Sequence, residues 1–401
     1  MEVSHTSGDR DAVRASDFTW SIFSTTIIAV LVGFGGTITL VAEAARAAGA
    51  NPAEAASWVG SAAFGMGITT LILTVWHRVP AFTAWSTPGA ALILSVAHGI
   101  GLPNAIGAFI FAGALVCLTA AFRPLSRLIQ AIPSPIAAAM LAGVLLRFAL
   151  NVPQAAAQAP LLVLPIILVW AVLRVVKPMF ALPATMIVGI AIVAFSGSLG
   201  SKCCTLALTP FVWTWPVFHM GTLVSLGIPL YLVTMASQNL PGFAVLQASG
   251  YRPYVSSSLW VTGLGSIALA PFGSHALNMA AITAALFTGP DCHPDPKKRW
   301  LAGPVYMVLC TALALFSGSM VDLLAALPAA VLTTIAGLAL FNPLIGALQN
   351  AVREPGELDA SMIGFLVTAS GVTALGIGSA FWGLAAGLAY RSFRQLVAAR
   401  S

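Results

Sequence analysis

The sequence predicts an all-α integral membrane protein of about 14 transmembrane segments, because uncharged runs of membrane-spanning length recur along it. Three observations carry this prediction. Apolar residues make up 59% of the 401-residue chain and charged residues only 7%, where soluble domains carry about 25%; the mean hydropathy is +0.94. The basic residues fall on one side once the segments are threaded through a bilayer. Two segments, Val79–Leu94 (VPAFTAWSTPGAALIL) and Ala270–Ala285 (APFGSHALNMAAITAA), interrupt the apolar pattern in the same way.

Taken in order, Met1–Asp17 is a polar tail, and Phe18–Ala42 is the first apolar run. That run is too long for the core of a cleaved signal and leads into further spans, so it is expected to stay. Ala55–Trp76, Leu128–Leu146, Phe148–Leu173, Pro178–Ser201 and Trp300–Val321 each suffice for a crossing. Val79–Phe122, Cys203–Tyr251, Pro253–Pro290 and Ala360–Tyr390 are long enough to hold more than one. With the N-terminus inside, 15 of the 18 Lys and Arg residues lie on the inner side, Arg46 and Lys202 lie outside, and Arg147 lies near the outer end of a helix. The positive-inside rule favours this orientation, and an even number of crossings returns the C-terminus to the cytoplasm. The net charge of +6 is therefore topological and implies no nucleic-acid partner.

The two halves resemble each other in order. LVAEAARAAGANPAEAASW (40–58) has a counterpart in FAVLQASGYRPYVSSSLW (243–260), at an offset of 201 that sets Thr37 opposite Gln238. The broken segments follow at an offset of 191, with Trp85 opposite Ala276 and Thr87 opposite Asn278. SPIAAAMLAGVLL (134–146) then matches PAAVLTTIAGLAL (328–340) at 194. This gives an expected organisation of a cytoplasmic tail (1–17), a first seven-segment repeat (18–198), an external connecting loop (199–220), a second repeat (221–390) and a cytoplasmic tail (391–401). Seven is odd, so the second repeat enters from the opposite face. The 7+7 inverted repeat then brings the third and tenth segments, each a short strand followed by a helix, together at mid-membrane.

Breaks of this kind leave backbone groups that lipid cannot satisfy, so they survive where they line a protein-enclosed cavity. Paired breaks in two halves point to a binding site for a transported solute. In the first break Ser86-Thr87-Pro88 reads as a helix start, with Thr87 as cap and Pro88 in the first turn. Asn278 is the corresponding cap in the second. Two helix N-termini converging there offer partial positive charge and free N–H donors, which suit an anion. Ser237, Gln238 and Asn239 place polar side chains inside an apolar span, either lining a cavity or bonding between helices. The Gly35-Gly36-Thr37 step allows close approach by backbone or ligand, and Phe34 and Trp85 supply flat apolar walls. Each aromatic also has a plain packing reading.

Titratable groups are scarce. His275, in the second break, is the candidate for proton coupling, with a neutral hydrogen-bonded histidine as the alternative. The five cysteines form no CxxC or Cys/His metal pattern, and no cofactor is implied. No HExxH, GxSxG, Walker or Rossmann pattern occurs in the context its chemistry needs, so neither an enzyme nor an ATP-driven pump is indicated.

TAWSTPGAAL (83–92), LAGVLLRF (141–148), TMASQNLPG (234–242), LNMAAITAA (277–285), FLVTASG (365–371) and GIGSAFWGLAAG (376–387) closely resemble the BenE-type benzoate:proton symporter family. The resemblance spans essentially the whole chain beyond the tail, and it extends to the wider uracil permease-like fold. It implies core and gate domains, with the gate built from segments 5–7 and 12–14, and uptake of benzoate with protons across the bacterial inner membrane. The implied partners are a benzoate-like anion, protons and the lipid bilayer, and relatives of the fold are often homodimers. It places the site on Gly35–Thr37, Trp85–Gly89, Ser237–Asn239 and Ser274–Met279. Nucleobase members use acidic residues in the eighth and tenth segments. Gln238 and His275 stand in those regions here, so that proton scheme does not carry over. Another cargo on the same fold (a nucleobase or inorganic anion) and a passive anion channel are the alternatives.

Overall fold

The computed structural model describes residues 14, 17–35, 37–122, 133–195, 208–280, 282–372, 374 and 379–398. Gly36, Cys203 and Cys204, most of the N-terminal tail and part of the central connecting segment lie outside the described residues.

The chain is a mostly helical multi-pass membrane protein. Its first half runs α1 (Trp20–Gly35), α2 (Ile38–Ala47), α3 (Pro52–His77), β1 (Thr83–Trp85), α4 (Thr87–Val96), α5 (Leu102–Ala121), α6 (Ser134–Gln158), α7 (Pro160–Val176) and α8 (Ala181–Phe195). In the second half, α9 (Met220–Gln247) is one long span interrupted by π-helical turns at Leu223–Gly227 and Met235–Asn239. There follow α10 (Val255–Leu269), β2 (Leu277–Met279), α11 (Ile282–Thr288), α12 (Ala302–Leu315), α13 (Ser317–Ala325), α14 (Ala329–Ala339), α15 (Phe341–Ala351), α16 (Leu358–Ala369) and α17 (Ser379–Ala398). Among the described residues, five helices are long and apolar enough to cross a bilayer singly, and up to seven spans result when the bent pairs α12–α13 and α14–α15 each count as one. Several remaining apolar helices are shorter, in keeping with broken segments.

Local chemistry explains the boundaries. Asn51 caps α3 in a capping box with Glu54, and Arg78 ends it in the left-handed region at φ 52°. Gly101 precedes Leu102-Pro103, a helix start with proline in its first turn. The π turn at Met235–Asn239 puts an extra residue into α9 where polar side chains cluster, the usual place for such an insertion.

The helices form two packing groups. In the first, α3 packs along α12 and α10 packs along α5, with α1, α2, α4 and both strands among them. In the second, α6 packs against α14, α15 and α16, α16 against α17, and α7 against α8. Small residues permit these contacts. A Cβ at Gly60 would come within 2.7 Å of the Ser317 Oγ, and one at Gly143 within 2.7 Å of the Thr368 Cβ. Lipid offers no hydrophobic drive between helices, so close backbone approach at small residues supplies the attraction.

The two strands pair antiparallel, with Thr83 facing Met279, Ala84 facing Asn278 and Trp85 facing Leu277. The pair is centred on Ala84 and Asn278, the middle residues of the two strands.

The surroundings complete the strands' hydrogen bonding, which makes extended backbone tolerable at this depth. Ser86 N donates to Ala276 O (3.0 Å) and Ala280 N to Phe82 O (2.9 Å), extending the ladder at both ends. Thr83 N donates to the Thr70 Oγ1 (2.9 Å), Leu277 N to the Ser266 Oγ (2.9 Å) and Met279 N to the Asn239 Oδ1 (2.9 Å). The Thr83 hydroxyl lies among the Thr69 and Thr70 hydroxyls and Met66 O at 2.7, 2.8 and 2.9 Å. Polar side chains of α3, α9 and α10 therefore hold the break open as a strand.

Candidate functional site

A cavity of about 540 Å³ opens beside the strand pair, between the two packing groups. Its volume falls within the range of small-molecule sites, about 300–1,000 Å³. Phe34 and Thr37 from the α1–α2 junction, Ala84, Trp85 and Thr87 from the first break, and Gln238 from the π turn of α9 all line it. Five of the predicted site residues thus meet on one cavity. The rings of Phe34 and Trp85 lie 5.0 Å apart and are tilted by 41°, forming one continuous aromatic wall.

Hydrogen bonds assign roles to some of these groups. The Trp85 indole donates to the Thr37 Oγ1 (2.9 Å), and the Thr37 hydroxyl donates in turn to Gly33 O (2.7 Å). Thr37 therefore orients the indole and has no proton left to offer a ligand. Gln238 and the Thr87 hydroxyl have no hydrogen-bond partner among the described residues, and both line the cavity. Around the α4 start, Ser86 rather than Thr87 is the cap: its Oγ accepts from Gly89 N at 3.0 Å. Thr87 opens the helix and Pro88 has no N–H, which leaves the Thr87 N–H as the donor of the first turn that no cap takes.

The remaining predicted residues lie elsewhere. Asn278 does not cap a helix; it sits in the middle of β2, fully buried. Among the described residues neither its Oδ1 nor its Nδ2 has a partner. Cross-strand partners share a face, so Asn278 stands on the same face as the cavity-lining Ala84. Asn239 is buried, and its Oδ1 holds the β2 backbone. Ser237 bonds back to Val233 O and lines a second cavity of about 830 Å³, which shares Gln238 and Asn342 with the first. Ser86 and His275 are fully buried behind the break. The His275 Nδ1 accepts from the Trp58 indole at 3.1 Å, and an indole N–H only donates, so Nε2 carries the ring proton and donates to Ser86 O at 3.1 Å.

The structure also adds residues that sequence reasoning left unassigned. Arg174, Trp170, Thr283, Tyr306 and Asn342 line the first cavity. The Trp170/Arg174 spacing of four puts both on one helix face, a signal readable in the sequence. Among the described residues of this lining, Arg174 is the charged one and none is a carboxylate. A cavity with aromatic walls, an unpartnered amide and one cation is equipped for a flat molecule bearing negative charge.

A sequence profile of the family described as BenE, benzoate membrane transport protein, matches residues 16–393. The chain belongs to the BenE family. It is therefore a membrane transporter and not an enzyme. The Escherichia coli protein called Inner membrane protein YdcO is 42% identical over 362 residues, covering 90% of this chain and 92% of its own length. A benzoate membrane transport protein of Acinetobacter baylyi is 31% identical over 371 residues, covering 92% of this chain and 94% of its own. Among solved structures, the transmembrane domain of the cyanobacterium bicarbonate transporter BicA matches with a TM-score of 0.60 at 14% identity, over 94% of this chain and 97% of that one. The murine anion transporter Slc26a9 in its inward-facing state matches with a TM-score of 0.59 at 14% identity, over 96% of this chain and 69% of that one. These likenesses establish that the BenE chain has the transmembrane fold of those transporters.

Proposed function

We propose that this BenE-family chain is a secondary active symporter that takes up benzoate or a similar small aromatic carboxylate with protons across the bacterial inner membrane. The observation that carries this reading is the composition of the 540 Å³ cavity: a Phe34–Trp85 wall, the unpartnered Gln238, the Thr87 helix start and Arg174, with no carboxylate among the described lining residues. The ring packs on the aromatic wall, and the carboxylate takes hydrogen bonds from Thr87 and Gln238 and, once binding uncovers it, from the buried Asn278 amide on the Ala84 face. The absence of a like charge favours an anionic guest. The relatives named for benzoate transport and for the inner membrane support the cargo and the location.

In this reading the protein has about 14 segments in a 7+7 inverted repeat, with its termini in the cytoplasm as the basic residues require. The antiparallel pairing of the two breaks supports the inversion. The first packing group acts as the core and the second as the gate, and rocking of one against the other alternates access. His275 is the coupling group: a proton at Nδ1 displaces the Trp58 N–H and shifts Ser86, the cap of α4.

Uptake of radiolabelled benzoate into proteoliposomes, with and without an inward proton gradient, tests this directly. Gradient-driven, saturable accumulation that unlabelled benzoate inhibits and uracil or sulfate does not is the expected result. Uptake indifferent to the gradient removes proton symport, inhibition by sulfate or uracil changes the cargo, and large single-channel currents indicate a channel.

A further inference from the structure

Arg174 sits in the last turn of α7 and enters the same cavity as Phe34 and Trp85. Its Cζ lies 5.0 Å from the Trp170 ring centroid and 4.8 Å from that of Phe341. The two rings meet edge to face, 5.0 Å apart at 77°. The guanidinium is therefore held by aromatic rings contributed by two elements, α7 and α15.

A basic residue near a helix C-terminus has an ordinary explanation, because it complements the helix dipole and can reach toward lipid headgroups. Three observations go beyond it. Leu168, Val172, Val175 and Val176 of the same helix are exposed, whereas Trp170 is buried and Arg174 is half-buried, so Arg174 lies on the inward face of α7. Among the described residues no carboxylate lies within ion-pair distance of it, and its N–H groups have no hydrogen-bond partner. Aromatic faces stabilise a cation without consuming its in-plane N–H donors. The result is a preoriented, uncompensated fork of donors, the geometry that receives a carboxylate through two parallel bonds.

We propose that Arg174, packed against both Trp170 and Phe341, is the specificity-determining residue that receives the substrate's carboxylate in this cavity and selects anionic over neutral aromatic guests. This rests on the reading of the protein as a carrier of aromatic carboxylates. That packing also ties the guest to the gate, because Phe341 lies at the α14–α15 bend of 42°. A carboxylate drawn onto Arg174 thus meets a group that belongs to both α7 and α15.

The test compares purified wild type, Arg174→Gln and Arg174→Lys by equilibrium binding of benzoate and of its neutral isostere benzamide. Loss of a charge-assisted bond should weaken benzoate in Arg174→Gln by about tenfold or more. Arg174→Lys, which keeps the charge and loses the planar fork, should fall between, and benzamide binding should not change. A second measurement needs no variant: benzoate, but not benzamide, should slow modification of Arg174 by phenylglyoxal in wild type, read by peptide mass spectrometry. Wild type that binds benzoate while Arg174→Gln binds it equally well, or while benzoate leaves the modification rate unchanged, overturns the proposal. Equal weakening of benzoate and benzamide makes Arg174 a packing residue and also overturns it. Wild type that binds no benzoate refutes the underlying reading and takes this proposal with it.

Discussion

The Trp58 indole donates its N–H to the Nδ1 of His275 across 3.1 Å, and His275 passes the constraint on to Ser86 O through its Nε2, also at 3.1 Å. This bridge links α3 to both breaks and fixes one tautomer. A proton can reach Nδ1 only if the indole lets go. His275→Gln, which offers an acceptor and a donor but no second protonation state, is expected to retain benzoate exchange and lose proton-driven accumulation. Counterflow and gradient-driven uptake, measured on the same proteoliposomes, separate the two. Equal loss in both assays makes His275 structural.

Ser86 carries the α4 cap, so its removal should be felt as stability. Ser86→Ala frees the Gly89 N–H at a fully buried position. Loss of an N-cap costs about 0.5–2 kcal/mol. The expected outcome is a lower thermal midpoint in detergent for Ser86→Ala than for Thr87→Val. The Thr87 change should instead weaken benzoate binding while leaving the midpoint near wild type. A reversed order would return the capping role to Thr87.

Much of this arrangement was legible in the chain. Proline, glycine and hydroxyl residues inside apolar runs marked both breaks, since lipid tolerates them only where protein satisfies the backbone. Phe34, Thr37, Trp85, Thr87 and Gln238 followed from polarity or aromaticity at those breaks. Two kinds of information were not legible. Strand register was one, because small and apolar residues in the breaks carry no mark of which of them pair. The other was which side of a helix faces the cavity. Ser237, Gln238 and Asn239 are consecutive, yet the structure points them to a second cavity, to both cavities and to the β2 backbone respectively. In the sequence Arg174 is one more inner-side charge; only tertiary packing sets it against two rings.

Thr37 and Trp85 act as a unit. Thr37 takes the indole N–H and thereby sets the angle of the aromatic wall. Thr37→Val and Trp85→Phe each remove that hydrogen bond, so the double variant should bind benzoate about as weakly as either single one. A coupling of about 0.5–3 kcal/mol is expected for residues in direct contact. Binding isotherms for the four proteins give the cycle. Additive losses would mean that Thr37 contacts the ligand independently of Trp85.

Asn278 yields the sharpest contrast between folding and function. Its amide is fully buried, and neither Oδ1 nor Nδ2 finds a partner among the described residues. A buried polar group without a hydrogen bond costs about 1–3 kcal/mol by mutational measures. Replacing it with an apolar side chain of similar size removes that cost, so Asn278→Leu should raise the thermal midpoint of the ligand-free protein. The same change removes the amide expected to meet the carboxylate, and benzoate binding should be lost. Asn239→Leu should do the opposite to stability, since it orphans the Met279 N–H that Asn239 now satisfies. Thermal unfolding with and without saturating benzoate tests both variants at once. The ligand should stabilise wild type and leave Asn278→Leu unmoved. A destabilised Asn278→Leu that still responds to benzoate would show that this amide serves the fold and not the guest.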